Sequence, residues 1–189
     1  MRERYLLAVP SNATIRDLEA TPPAYGGRGQ KPRTPFEQVG GFALVRRERI
    51  GLVFQSGNLI PSWTAVGNVE AALVHSPVAR RKRRERAEAL LMKLGLAERL
   101  RSLPAELSAG ERQRVAVARA LVASPALVLA DEPTGDVDPD TAKGIVSLLA
   151  EEVVRAGRTL VLATHGPPPE GLVTRTVRLE GGRGDSESE

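Results

Sequence analysis

The chain has 189 residues, 41% of them hydrophobic but only 3% aromatic, enough for one domain with a sizeable core that Leu, Val and Ala must fill. Its net charge of +4 is modest and it holds no cysteine, which excludes a disulfide-stapled secreted scaffold and suits a reducing compartment. The longest apolar stretch, 115–130, is broken by Arg119 and Pro125, and no signal-peptide series is present, so no segment is expected to span a bilayer and any membrane role is expected to run through a partner.

The first 41 residues are rich in Pro and Gly, show no sustained helical period, and carry one short apolar run, Tyr5-Leu6-Leu7-Ala8-Val9. Residues 1–45 are therefore expected to be an atypical, flexible segment, with 21–35 as linker. A phosphate-gripping loop of the form G-x-x-x-x-G-K-[ST] needs backbone N–H groups, a Lys for the terminal phosphates and a hydroxyl for Mg²⁺. Gly26-Gly27-Arg28-Gly29-Gln30-Lys31-Pro32 comes nearest, but Gln30 replaces the last Gly and Pro32 offers neither hydroxyl nor N–H. No Walker A residues are assigned.

Residues 50–54 read as a short strand ending at Gln55. Ile60, Pro61 and Trp63 form an apolar turn, and Thr64 caps a helix bearing Val66, Val69 and Leu73. Trp63 either anchors that turn or docks on a partner. His75 is a surface residue or helix end, with no second His or Cys near it to build a metal site. An amphipathic helix spans 79–100, with Ala87, Leu90, Leu91 and Leu94 inward and Gly95 as its end. Its start, 80–86, holds six basic residues and one acid, which raises nucleic acid as a partner. Without interleaved aromatics for stacking, a solvated face is the better account, and no nucleic acid is expected.

Ser108-Ala109-Gly110-Glu111 fits the S-x-x-E capping box: the Ser108 hydroxyl accepts from the backbone three residues on, and Glu111 reaches back. Val115, Ala118 and Leu121 or Val122 form the stripe behind it, and the helix stops near Ser124 because Pro125 disfavours a helical residue before it. Residues 126–130 are expected to be a strand buried on both faces, as central parallel strands are. Asp131 and Glu132 follow, two carboxylates at the strand end where α/β sheets bind ligands. Asp131 suits a Mg²⁺ shell and Glu132 a base for an attacking water. Asp138-Pro139 opens a helix to about 156, with Asp138 as N-cap. A second buried strand, 159–163, ends near His165; 173–179 alternates like an edge strand, and the acidic end, 184–189, is expected to be disordered.

The order of LSAGERQRVAVARAL and LVLADEPTGDVD, with RERIGLVFQ before them and LVLATH after, resembles the signature motif, Walker B motif and D-loop, Q-loop and H-loop of ABC-transporter ATPase domains. FQSGNLIPSWTAVGNV and DEPTGDVD are most similar to the lipoprotein-release, macrolide-export and FtsE-like branch. The resemblance implies an α/β, P-loop NTPase-like fold, N-terminally incomplete, with a helical signature subdomain. It covers 46–183, with the Q-loop at 50–57, the helical subdomain at about 64–124, Walker B and D-loop at 127–138 and the H-loop at 160–165.

By the same resemblance Glu132, His165 and Gln55 are catalytic, Asp131 and Gln55 hold Mg²⁺, and Ser108, Ala109, Gly110 and Glu111 meet the nucleotide of an opposite subunit. Asp138 touches that subunit from the D-loop. Ala109 stands where the family has its first signature Gly, and Gly110 keeps the close backbone approach. The implied cofactors are ATP and Mg²⁺. The implied partners are transmembrane permease subunits and a second ATPase subunit, identical or not, which places the chain in the cytoplasm on the inner face of the membrane. The functional expectation is ATP hydrolysis coupled to transport, impaired for want of Walker A; the alternatives are a non-catalytic accessory subunit paired with an intact ATPase and, more remotely, a nucleic-acid-associated ABC protein.

Overall fold

The computed structural model describes residues 4–9, 49–165, 175–180 and 183–187. Six strands form one mixed sheet: β1 (Arg4–Val9), β2 (Ile50–Phe54), β3 (Leu127–Asp131), β4 (Thr159–Thr164), β5 (Arg175–Glu180) and β6 (Arg183–Glu187), in the spatial order β2-β3-β4-β1-β5-β6. β2, β3 and β4 run parallel, so each link between them needs a crossover. The first carries α1 (Ala65–Ala71), α2 (Arg80–Lys93) and α3 (Ala109–Leu121); the second carries α4 (Pro139–Leu149). β1 is antiparallel to both β4 and β5, and β6 to β5.

One hydrophobic core joins the sheet to the helices, with Val53, Val128 and Leu160 from the strands, Val115 and Val117 from α3, and Ile145 and Leu149 from α4, all at most 1% exposed. Gly51 shows how close α3 comes to the sheet: a Cβ there would lie 2.5 Å from the Ala120 carbonyl oxygen. The helical lobe is tied down at α1, where the N–H of Ala65 donates to Ser102 O (2.9 Å) and that of Val66 to Leu100 O (3.1 Å). Lys93, at the end of α2, pairs with Glu152 across to the segment after α4, at 2.5 Å.

Several elements depart from expectation. α2 ends at Lys93, where Gly95 turns left-handed (φ 75°) and Leu96 N–H bonds back to Leu91 O (2.9 Å), a Schellman-type stop. A single 3₁₀ turn, Ala97–Arg99, replaces the rest of the expected helix. β3 is not buried on both faces: Val128 and Ala130 are buried, while Leu127 and Leu129 are half-buried. The helix expected to about residue 156 is α-helical only to Leu149; Ala150–Val154 widens into a π turn, with Arg155 N–H on Ala150 O (3.1 Å).

β5 is no edge strand, since β1 and β6 flank it, and the tail expected to be disordered contributes Arg183–Glu187 as β6. Arg4–Val9, inside the segment expected to be flexible, is β1, because its short apolar run finds two ladders to pair with, on β4 and β5. The linker 21–35 and the near-match to a phosphate loop at 26–32 lie outside the described residues, as does the segment after His165.

Candidate functional site

The site is built at the carboxyl ends of the three parallel strands. Register aligns Phe54 with Asp131 and Asp131 with Ala163, so Gln55, Asp131–Glu132 and Thr164–His165 emerge side by side. That is where a parallel sheet presents ligand-binding groups. Asp131 is exposed. Glu132 takes a left-handed backbone conformation (φ 47°), held by its N–H on Ala163 O (2.9 Å) and by its carbonyl accepting from Gly135 N–H (3.1 Å). A non-glycine residue in that region stores local strain. Here it turns the Glu132 side chain toward β4, where Oε1 lies 3.4 Å from Nε2 of His165.

Gln55 follows β2 and donates from Nε2 to the Asp136 carboxylate (2.9 Å). Its carboxamide passes over Gly135, where a Cβ would stand 2.8 Å from Nε2, so a side chain there would push the carboxamide aside. The backbone after Gln55 makes a tight turn, Gly57 (φ 68°) and Asn58 (φ 44°) both left-handed, with Ser56 Oγ on Asn58 Oδ1 (2.7 Å). Glycine and asparagine tolerate that region best.

The start of α3 forms as its sequence dictates. Ser108 Oγ accepts from Glu111 N–H (3.1 Å), and Glu111 Oε2 accepts from Ser108 N–H (2.8 Å), the reciprocal capping box. Glu111 also pairs with Arg99 (2.9 Å). Its carboxyl is held below the usual range, first by the bond from the Ser108 backbone and then by Arg99. Ala109 is half-buried. Gly110 is buried, and its close approach within this chain is to α4: a Cβ there would lie 2.5 Å from Cγ2 of Thr141. Asp138 caps α4, accepting from Thr141 N–H (3.0 Å); the Thr141 side-chain hydroxyl first, and then this backbone bond, lower its carboxyl pKa.

The expected site residues thus form two groups. Gln55, Asp131, Glu132 and His165 share one edge of the sheet; Ser108–Glu111 lie at the start of α3, against the helix that Asp138 caps. Sequence reasoning missed Asp136, the partner of Gln55, and three residues that shape the loops. Asn68 is fully buried; its Oδ1 accepts from Ile60 N–H (2.7 Å), and its Nδ2 lies 3.0–3.2 Å from the carbonyls of Ile60, Trp63 and Thr64. Gln113, 3% exposed, donates to Phe54 O (3.0 Å). Arg119 spans Gly57 O (2.6 Å) and Asn58 O (2.7 Å). The available signal was a polar residue at an apolar position of a helix, as with Asn68 between Val66 and Val69.

Asp131 and Gln55, on neighbouring strand ends, offer the hard oxygen donors Mg²⁺ prefers. Among the described residues no three His, Cys, Asp or Glu side chains cluster as a self-sufficient cage. This donor set fits a Mg²⁺ that brings phosphate and water ligands with it. No helix among the described residues is long and apolar enough to cross a membrane.

Comparison with known proteins agrees with this fold. The ABC transporter family profile matches residues 41–135. The chain is 43% identical over 164 residues to an ABC transporter ATP-binding protein of Mycobacterium tuberculosis, covering 82% of this chain and 66% of that protein, just short of two thirds. It is 44% identical to the lipoprotein-releasing system ATP-binding protein LolD of Saccharophagus degradans, over 74% of this chain and 61% of the relative. With the macrolide export ATP-binding/permease protein MacB of Hyphomonas neptunium it shares 44% identity, over 77% of this chain and 22% of the longer protein. Among solved structures, the dimeric post-hydrolysis state of the ATP-binding cassette MJ0796, bound to ADP and Pi, superposes with a TM-score of 0.70 at 36% identity, covering 79% of this chain and 66% of that one. The profile match, these identities and the shared α/β cassette fold lead to one conclusion: the chain belongs to the ABC transporter family, with LolD and MacB proteins among its relatives.

Proposed function

We propose that the chain is the ATP-binding and hydrolysing subunit of an ABC transporter of the lipoprotein-release or macrolide-export type. The observation that carries this is the Glu132–His165 approach at 3.4 Å, beside Asp131 and at the ends of adjacent parallel strands. In that arrangement Glu132 would accept the proton of an attacking water, and His165 would fix the orientation of that carboxylate and face the terminal phosphate. Mg²⁺, bound together with ATP through Asp131 and Gln55, would supply charge neutralisation at the phosphate oxygens.

The start of α3 serves a second subunit in this reading. Its capped first turn leaves backbone N–H groups near Ser108–Gly110 and the positive end of a helix dipole, which favour a phosphate. Pairing with a like subunit would bring that half-site to the partner's nucleotide. Transmembrane permease subunits would hold the pair at the inner face of the membrane, with the cassette in the cytoplasm.

These 189 residues contain no G-x-x-x-x-G-K-[ST]. Without those N–H groups and that Lys, most of the electrostatic stabilisation of a transferred phosphoryl group is missing. We therefore propose that this chain alone binds ATP weakly or not at all. The intact capping box at Ser108 favours a second reading, an accessory subunit that lends its α3 start to a complete ATPase.

Calorimetry of Mg-ATP binding decides between them, on this chain and on one restarted from an upstream in-frame codon. Binding only in the longer form supports the hydrolytic subunit, and its turnover should then vanish in Glu132→Gln. Absence of binding in both, with co-purification of an intact ABC ATPase, supports the accessory subunit. Tight binding by this chain alone overturns the proposed weakness.

A further inference from the structure

Among the described residues, the side-chain bonds to the backbone carbonyls of the turn at Gln55 come from α3. Three of its backbone carbonyls accept side-chain bonds from that helix: Phe54 O from Gln113, Gly57 O and Asn58 O from Arg119. These bonds join residues about sixty positions apart in sequence, so no local propensity makes them. Gly57 is buried in the slot beneath, where a Cβ would lie 3.4 Å from Gln113 Oε1 and 3.5 Å from Ala116 Cβ. Gly51 extends the contact along β2, with the Ala120 carbonyl pressed against it.

Neither polar group is there cheaply. Gln113 is all but fully buried, and burial pulls the Arg119 guanidinium below its ordinary pKa, with no carboxylate paired to it among the described residues. The charge is offset by two short charge-assisted bonds to carbonyls. A hydrophobic residue at either position would fill the space and release the turn.

We infer that Gln113 and Arg119 are positioning residues, which let α3 set the conformation of the Gln55–Asn58 turn and so aim the Gln55 carboxamide at Asp136 and the sheet edge. α3 is a single unbroken helix, so the capped start at Ser108 and the Arg119 clasp move as one rod. Gly110 and Arg119 are nine residues apart, a span of about 14 Å at the helical rise. A displacement of the α3 start by a second subunit would therefore be felt at Gln55 without passing through the sheet. The inference rests on the proposed function only in taking Gln55 as a site residue.

The test needs no nucleotide, so failure of Mg-ATP binding, which bears on the proposed function, leaves it intact. Hydrogen exchange would be followed on the full chain for wild type, Gln113→Leu, Arg119→Gln, Arg119→Lys and the surface control Arg84→Gln, with the Gln55 side-chain amide resonance as a local reporter. Each lost bond should speed exchange at residues 55–58 by about tenfold, while peptides from β3 and the interior of α3 keep their protection. The Gln55 side-chain signal should shift in the same variants. Arg119→Lys keeps the charge but has a single donor nitrogen in place of the two-nitrogen fork, so it should fall between wild type and Arg119→Gln, and it answers the question even if Arg119→Gln does not fold. Exchange at 55–58 that is unchanged, or that rises only in step with β3 and α3, overturns the inference, as does an unmoved Gln55 signal.

Discussion

Gly110 and Thr141 interlock. The Cγ2 methyl of Thr141 occupies the space a Cβ at Gly110 would take, at 2.5 Å, so the starts of α3 and α4 fix each other's position. Gly110→Ala should destabilise the fold by about 2 kcal/mol, the usual cost of overpacking a tight contact. Thr141→Ser, which removes that methyl and keeps the hydroxyl, should recover most of the loss when combined with it. Urea unfolding of the two single variants and the double variant checks the coupling; additive losses would show that the contact is not shared.

The carboxylate of Glu111 is stabilised in the folded state by Ser108 N–H and Arg99, so its pKa is lowered. A lowered carboxyl pKa adds stability above the unfolded pKa and loses it as pH falls through the folded value. Glu111→Gln keeps the capping acceptor but not the charge. At pH 7 it should cost up to about 1 kcal/mol, and the gap to wild type should narrow as pH falls below the ordinary glutamate range. Melting temperatures from neutral to acid pH give the answer, and a gap that does not narrow as pH falls would assign the effect to something other than charge.

Asn68 saturates both ends of its carboxamide with the backbone of residues 60–64, beneath exposed Ile60 and Trp63. Asn68→Leu preserves volume but takes the partner from Ile60 N–H and Trp63 O, while Ile60 O and Thr64 O keep backbone bonds from Trp63 and residue 68, for an expected loss of about 2 kcal/mol. Trp63 is the only tryptophan, so its emission reports the released turn directly. An unchanged spectrum together with unchanged stability would count against this role for Asn68.

Glu132 sits at φ 47°, which a glutamate accepts only under constraint. Glu132→Asn should raise stability by about 0.5–1 kcal/mol, because Asn visits that region more readily. The same change should abolish turnover in any form of the protein that hydrolyses ATP. A residue whose replacement stabilises the fold while removing activity would be held there for chemistry, and a destabilised Glu132→Asn would say instead that its contact with His165 outweighs the strain.

What was legible from sequence was mostly local. Ser108 and Glu111, or Asp138 and Thr141, stand three residues apart, so their caps follow from spacing alone. The helix stop at Gly95 reads the same way. The Glu132–His165 approach depends on the parallel register of β3 with β4, which periodicity does not specify; Glu132 was legible from its place at a strand end, whereas the role of His165 came from the resemblance to a known family. The grip of Gln113 and Arg119 on the Gln55 turn was invisible for the same reason, since helix and turn lie far apart in sequence. The π turn at Ala150–Val154 escaped because its apolar residues fit a continuing α-helix equally well.

β1 runs antiparallel between β4 and β5, Tyr5 facing Thr164 on one side and Arg178 on the other. A ribosome makes this strand early and both its neighbours late. β2, β3 and their crossover helices can assemble while β1 has nothing to pair with, and the ordering entropy of so long a closure falls on the last step. In pulse-labelled refolding the amides of 4–9 should gain protection last, after those of 127–131. Until then the open ladder of β4 is exposed to any other extended chain, and the interval before β1 docks is when this protein is most prone to associate with copies of itself.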